Sequence, residues 1–465
     1  MAIEEDVSEW EIQKSSKMYS YGFGYVVINY FLYYGLANIF YFYEVEIGLP
    51  ILLIGLAFII FALWNMVNDP LLGYLTERPT RFTKKYGYRA PWIVITAIPM
   101  LLIYFFIWIP PVGGDTMTIF IWFIITTCLF DTFFSVFNDH VYGGYTNQFP
   151  SEYERRRSFA IITLLLAFGV VGMGAVTGVF IVYGDPSSFV RLAIVVAIIM
   201  AILTVLLILG IKESDNLINV YLTSYEKAEK KSFYSTMKTA LKTKNFRVSL
   251  AGYTCQVTAL NLFVASQIYL YKDVYGLDFS FYLYAQLAGV IGMLIVIPFW
   301  ANYARKHGFK KTYWVCFLFH GLTFLPLLFV TNIILIVIFT FINYIFLSGE
   351  VLMLQPVASD TYDEVSSKMD KHVDATLVGV RTFFFRMALI VQAVVFVGVH
   401  ILTGYNPNPH ATQTSLAQWG ILFSGIVLPA LILIGMALIF RKYYTLEGAE
   451  KEALVKKLKD LGIYR

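Results

Sequence analysis

Five ionisable residues stand inside stretches of otherwise apolar sequence, and any chemistry in this chain has to come from them. Asp69 falls in Trp64-Asn65-Met66-Val67-Asn68-Asp69-Pro70-Leu71-Leu72-Gly73. Asp131 and Asp139 bracket Asp131-Thr132-Phe133-Phe134-Ser135-Val136-Phe137-Asn138-Asp139, followed by His140. Glu350 lies in Ser348-Gly349-Glu350-Val351, and Arg386 ends Arg381-Thr382-Phe383-Phe384-Phe385-Arg386. A charge near the middle of a membrane-spanning helix costs about 2.5–3.5 kcal/mol. Each of these groups therefore needs a partner, a proton or a wet cavity.

Their spacing narrows the choices. Asn65 and Asp69 are four residues apart and share one helix face. An amide and a carboxylate stacked in this way offer oxygen ligands to a small hard cation, or one carboxylate to a proton. A helix-end Asp that anchors the following loop is the structural alternative. Asp131 and Asp139, eight apart, can both face one cavity. Arg386 requires an anionic partner and could also donate to substrate hydroxyls; a purely structural ion pair is the alternative. Glu350 could meet Arg386 from an adjacent helix or could itself carry a proton, and both readings stay open. His140 reads as a polar neighbour, and His320 and His400 as ordinary residues of apolar spans. No nucleophile–base arrangement, phosphate-cradling loop or metal-ligand spacing occurs, so neither an enzyme nor a cofactor is expected. The only ion site in view is a monovalent cation at Asp69.

The elements that position these groups follow from composition. The chain is 58% hydrophobic and 14% charged, well short of the charge a water-soluble domain carries. Forty Phe and 33 Tyr suit lipid-facing and interfacial positions. Continuous apolar runs such as 192–210 exclude a β-barrel, whose strands alternate. Counting about 20 apolar residues per crossing predicts twelve helices, at roughly 19–42, 51–76, 91–110, 116–145, 158–183, 188–211, 246–271, 279–304, 312–331, 333–358, 376–403 and 416–440. Basic residues collect in the loops after even-numbered spans: Arg78 to Arg89, Arg155 to Arg157, Lys227 to Arg247, Arg305 to Lys311, and Lys368 with Lys371. The positive-inside rule then places both termini in the cytoplasm. Lys and Arg in short loops rather than on one soluble face argue against nucleic-acid binding. Cys128, Cys255 and Cys316, each within an apolar run, read as packing residues.

The expected fold is an all-α polytopic membrane protein, with twelve transmembrane helices in two six-helix bundles. A polar segment 1–18 precedes a first bundle at 19–212. A linker at 213–245 contains the solvated run Glu226-Lys227-Ala228-Glu229-Lys230-Lys231. The second bundle covers 246–441, and 442–465 forms a terminal amphipathic helix. Two similar halves around a central cavity are the architecture of alternating-access carriers.

At this point the residues resemble a known family. Tyr21-Gly22-Phe23-Gly24, the span-two motif around Asp69, Arg89-Ala90-Pro91-Trp92, Glu154-Arg155-Arg156 and Asp360-Thr361-Tyr362-Asp363-Glu364 are together similar to the glycoside–pentoside–hexuronide cation symporters of the major facilitator superfamily. The resemblance implies a cation held by acidic residues of spans one and two. It also implies a sugar held by acids of spans one and four, an aromatic of span four and a base of span eleven. Carried onto this sequence, the cation set is Asn29, Asn65 and Asp69. The substrate set is Arg386, Asp139 (or Asn138, one residue out of register) and Tyr142, with Asn29 in both and with Asp131 and Glu350 added from the residues themselves. Amides stand at Asn29 and Asn65 where the family has carboxylates. That loss of charge favours a proton over sodium, because ligand charge tunes affinity for hard cations. Arg386 in place of a Lys favours a carboxylate or phosphate on the substrate.

The expected activity is cation-coupled symport of a sugar, glycoside or uronic acid. Salt bridges from the basic loops at Arg78 to Arg89 and Arg305 to Lys311 are expected to close the cytoplasmic side of the outward-facing state. A lysophospholipid carrier of the same fold and a non-transporting membrane receptor are the rivals. The expected setting is the cell membrane, as a monomer, with the lipid bilayer, a small-molecule substrate and a coupling cation as partners.

Overall fold

A computed structural model of the chain describes residues 13–76, 78–80, 82–111, 113–149, 152–215, 218–219, 222, 233–369 and 374–460. Most of the polar segment 1–18, Arg81, the Glu226–Lys231 run and Lys371 lie outside the described residues.

Among the described residues the chain is helical and contains no strand. In hydrocarbon every backbone N–H and C=O must find its partner within the chain, and an apolar run of this length can do so only as a helix. The first half contains α1 (Ser15–Tyr33), α2 (Ile51–Thr76), α3 (Ala90–Ile107), α4 (Thr116–Gln148), α5 (Glu152–Phe180) and α6 (Pro186–Ile208). The second contains α7 (Lys244–Tyr269), α8 (Tyr282–Phe324), α9 (Ile333–Met369), α10 (Asp374–Thr403) and α11 (Leu428–Tyr443), followed by α12 (Gly448–Asp460). Nine helical stretches among the described residues are long and apolar enough to cross a membrane. One of them contains both α8 and its neighbouring turns, and it breaks at Gly308 (φ 80°, ψ 163°). Two expected crossings, 279–304 and 312–331, meet at that break. A left-handed φ at this point suits glycine, which has no Cβ to clash.

Helix starts follow local chemistry. The Asp115 carboxylate accepts from the Thr118 N–H at 2.8 Å, and Thr414 accepts from the Ala417 N–H at 3.2 Å. These side chains satisfy donors that the first turn leaves unpaired. Between α2 and α3, Glu213 reaches from beyond α6 to accept from the backbone N–H groups of Tyr88 (2.5 Å) and Arg89 (2.9 Å). Burial pushes the Glu213 carboxyl above its ordinary range, against the opposing pull of those two N–H groups and of Arg89. On the same side α12 is tied to α9 by Lys451–Asp360 at 2.7 Å.

The two halves meet along two seams, α2 against α10 and α5 against α8. Small residues let the backbones approach there. Gly55 of α2 lies under Val397 of α10, and Gly178 of α5 lies against Phe279 and Leu283 at the start of α8. An added Cβ would meet the Val397 side chain at Gly55 and the Phe279 and Leu283 backbone at Gly178.

Candidate functional site

The α2–α10 seam brings together charges 317 residues apart in sequence. Arg386 donates to Asp69 Oδ2 through Nη2 at 2.8 Å and through Nε at 3.3 Å. The same guanidinium stands 3.9 Å from Asp131 Oδ1. Ser135, one turn beyond Asp131 on α4, donates to Asp69 Oδ1 at 2.8 Å, and Asn68 donates to Asp131 Oδ2 at 3.4 Å. Side-chain exposures of 12%, 17% and 4% for Arg386, Asp69 and Asp131 keep the group out of bulk water. Two carboxylates against one guanidinium leave one uncompensated negative charge.

Both Asp69 oxygens are taken, whereas Asp131 is held only by long contacts. Asp131 is thus the carboxylate with capacity to spare. Its eight-residue spacing lets it face one cavity with Asp139, which is within its electrostatic reach, and its ion-pair and hydrogen-bond partners are Arg386 and Asn68. Asp139 sits farther along α4 and accepts from the Asn138 amide at 3.2 Å, while the Arg386 guanidinium pairs with Asp69 and Asp131 instead. Arg89 donates to the Asp139 backbone carbonyl at 3.5 Å, with its guanidinium laid across Gly143.

The expected cation set is divided. Asn29 donates to the Tyr25 carbonyl at 2.8 Å and to the Tyr142 hydroxyl at 3.5 Å, and makes no hydrogen bond to Asp69. Tyr142 packs edge-on to Tyr25 with centroids 4.6 Å apart. The structure therefore groups Asn29 with the candidate substrate aromatic. Asn65 is fully buried, donates to the Phe61 carbonyl at 2.8 Å, and has an Oδ1 with no hydrogen-bond partner. His140 is packed between Tyr88 and Trp92, as a polar neighbour should be.

The Glu350–Arg386 pair that adjacent spans allow does not form. Glu350 faces the interior of the second half, where its Oε1 lies 2.8 Å from His320 Nδ1. His320 Nε2 in turn lies 3.2 Å from Asn343 Oδ1, and the Asn343 amide donates to Thr323 Oγ1 at 3.1 Å. His320 is thus no ordinary span residue, and α9 turns Glu350 away from α10. Asn343→Ala should leave His320 and Thr323 short of partners and cost about 1–3 kcal/mol. Thermal unfolding of the detergent-solubilised variant measures this, and an unchanged midpoint would show the network to be slack.

His400 departs from expectation in the same way. Its Nδ1 lies 2.8 Å from Glu44 Oε1, and the Tyr269 hydroxyl donates to Glu44 Oε2 at 2.7 Å. Glu44 belongs to the first half; Tyr269 and His400 belong to the second. All three are almost wholly buried, on the side of the molecule away from the termini. The segments that carry Glu44 and Tyr269 are copies. Tyr41-Phe42-Tyr43-Glu44-Val45-Glu46-Ile47-Gly48-Leu49 and Tyr269-Leu270-Tyr271-Lys272-Asp273-Val274-Tyr275-Gly276-Leu277 share Tyr-x-Tyr and Gly-Leu at the same spacing. Each forms one π-helical turn, Phe42–Glu46 and Leu270–Val274, and each ends on a glycine of positive φ, 79° at Gly48 and 65° at Gly276. The copies cross. Tyr41 packs edge-on to Tyr269 at 5.3 Å, and Lys272 lies 5.9 Å over the Tyr41 ring. Lys272 also pairs with Asp273 at 2.8 Å, and Asp273 accepts from the Tyr405 hydroxyl at 2.9 Å. The internal repeat is the sequence signal that points to this contact.

Two packed helical halves with nine apolar helical stretches among the described residues define a multi-pass membrane protein. Known proteins of similar sequence and fold agree with that class. Residues 19–447 match the family model for MFS/sugar transport proteins, and the chain belongs to this family of the major facilitator superfamily.

Among curated relatives, the sodium-dependent lysophosphatidylcholine symporter 1-A of Danio rerio is 35% identical over 118 residues, 25% of this chain and 21% of the relative. The sodium-dependent lysophosphatidylcholine symporter 1 of Mus musculus is 22% identical over 284 residues, 54% of this chain and 51% of the relative. The matched stretches thus span about half or less of those relatives' lengths. Among solved structures, the nucleoside transporter NupG superposes with a TM-score of 0.58 at 13% identity, covering 92% of this chain and 100% of that one. A D-xylose-proton symporter gives a TM-score of 0.60 at 12% identity, over 92% and 96%. At that identity the likeness is one of fold.

Proposed function

We propose that the chain is a secondary active transporter that couples a cation to a small molecule by alternating access, in the manner of the glycoside–pentoside–hexuronide symporters. The observation that carries the reading is the Asp69–Arg386–Asp131 group, which joins the halves at their seam and lacks one positive charge. Cation entry at the Asp131–Asp69 pair competes with Arg386 for carboxylate oxygens. That competition loosens the link between the halves and exposes the guanidinium to substrate. Asn65 Oδ1, orphaned and one turn from Asp69, is available as a further oxygen ligand. A proton suits a site with amides at Asn29 and Asn65 better than sodium does. The substrate class favoured by Asn29, Tyr142 and Arg386 is a sugar, glycoside or uronic acid.

The same reading takes the helices as twelve crossings with both termini in the cytoplasm of a cell-membrane protein. The Glu44–His400 clasp then closes the outer side. Two residues of the basic loops expected to lock the inner side bond elsewhere. Arg89 bonds to α4 and Lys310 to Glu447 (2.7 Å), each within its own half. A lysophospholipid carrier is the second reading, favoured by sequence relatives that are sodium-dependent lysophosphatidylcholine symporters.

Proteoliposome uptake of a labelled panel tests the proposal, run with proton, sodium or no gradient, for the wild type and Asp69→Asn. Gradient-driven accumulation should appear in the wild type and fall at least tenfold in the variant, the loss of about 1.4 kcal/mol or more of coupling. Accumulation indifferent to both gradients and to the substitution would remove symport.

A further inference from the structure

Arg381 is a second guanidinium within a membrane-spanning helix, and the charge group above makes no use of it. It lies five residues before Arg386, about 7.5 Å along the axis of α10, toward the side of the termini. Its guanidinium lies 5.0 Å over the Tyr253 ring of α7, and its Nη1 donates to Gln355 Oε1 of α9 at 3.4 Å. Tyr33 of α1, in the other half, is within electrostatic reach of both Arg381 and Tyr253. Tyr33 is 46% exposed. Tyr253 is within electrostatic reach of Tyr142 and of both Arg381 and Arg386.

No carboxylate among the described residues lies within salt-bridge distance of Arg381. An arginine near a helix end often snorkels to the lipid headgroups, with its charge in water. This one is instead turned inward, onto a ring of α7 and an amide of α9. A guanidinium on an aromatic face, beside a neutral amide and without a protein anion, is a binding arrangement for a planar or tetrahedral oxyanion.

We propose that Arg381 is the anion-binding residue of the central chamber, and that it takes the carboxylate or phosphate of the transported molecule while Tyr253 and Tyr33 flank the attached group. The proposal rests on the carrier reading above and makes it more specific. The Asp69–Asp131–Arg386 group is short of one positive charge, and Arg381 is short of one negative charge. One cation and one anionic substrate satisfy both, and Arg386 stays with its carboxylates until the cation arrives. A neutral glycoside would leave Arg381 uncompensated.

The test is uptake into proteoliposomes by the wild type, Arg381→Gln and Arg381→Lys. Three labelled compounds are compared: a glucuronide, the matching neutral glucoside, and a lysophospholipid followed by albumin back-extraction. The wild type should prefer one of the two anionic compounds to the glucoside, and which one distinguishes carboxylate from phosphate. In Arg381→Gln the KM for that compound should rise about 10- to 100-fold, and the preference over the glucoside should collapse. Arg381→Lys should recover part of both. Preference for the neutral glucoside, or an unchanged KM in Arg381→Gln, overturns the assignment and leaves the carrier reading standing. No wild-type uptake of any of the three removes the carrier reading and this assignment together.

Discussion

Arg386→Gln is expected to abolish gradient-driven accumulation and to destabilise the protein by about 3–5 kcal/mol, the cost of breaking a buried ion pair from one side. The substitution leaves Asp69 and Asp131 facing each other with no counter-charge. Both effects should be separable. Adding Asp69→Asn to Arg386→Gln removes one of the stranded carboxylates, so a large part of the stability should return while coupling stays lost. Thermal unfolding in detergent reads the first effect and proteoliposome uptake reads the second. A double variant no more stable than the single one would mean that Arg386 acts through packing alone. The geometry of its contacts argues otherwise, since the guanidinium meets Asp69 through two nitrogens.

His400→Leu should open the opposite end. Glu44 would keep only the Tyr269 hydroxyl, and a hydrogen bond to a charged group contributes about 1.5–3 kcal/mol. A loss of that size moves a two-state equilibrium by roughly 10- to 100-fold. A cysteine at Val397, where α10 passes Gly55, reports the change. Its labelling by a membrane-impermeant maleimide from the side away from the termini should accelerate within that range. Unchanged labelling would show that the crossed Tyr41 and Tyr269 segments hold the halves without the Glu44–His400 contact.

Much of this is legible in the amino-acid sequence. Apolar run length fixes helices, because lipid offers the backbone no other partner. The ranges expected around Asp69, Asp131 and Arg386 accordingly lie in α2, α4 and α10. Pairing is another matter. Neighbouring spans make Glu350 a plausible partner for Arg386, yet rotation about the α9 axis decides which way a side chain points, and span lengths carry no such phase. His320 and His400 look ordinary in sequence for a related reason. Their carboxylate partners come from other helices, and in the case of Glu44 from the other half. Spacing along one helix links Asp131 to Asp139, but it does not show that the hydrogen-bond and ion-pair partners of Asp131 stand on α2 and α10. The π-turns at 42–46 and 270–274 have no periodic signature, but their shared Tyr-x-Tyr and Gly-Leu spacing is visible in the chain. Arg381 is likewise plain in the sequence. Only the positions of Tyr253, Gln355 and Tyr33 separate it from an ordinary interfacial arginine.

Alternating access requires that one end of the molecule close as the other opens, and electron–electron resonance distances measure this directly. Spin labels at Lys84 and Lys306 span the halves on the side of the termini, and labels at Val182 and Phe329 span them on the other; all four positions are exposed. With Cys128, Cys255 and Cys316 replaced, cation and substrate together should shorten the first distance and lengthen the second. Distributions that stay fixed at both ends under saturating cation and substrate would contradict a carrier built around the Asp69–Arg386–Asp131 group.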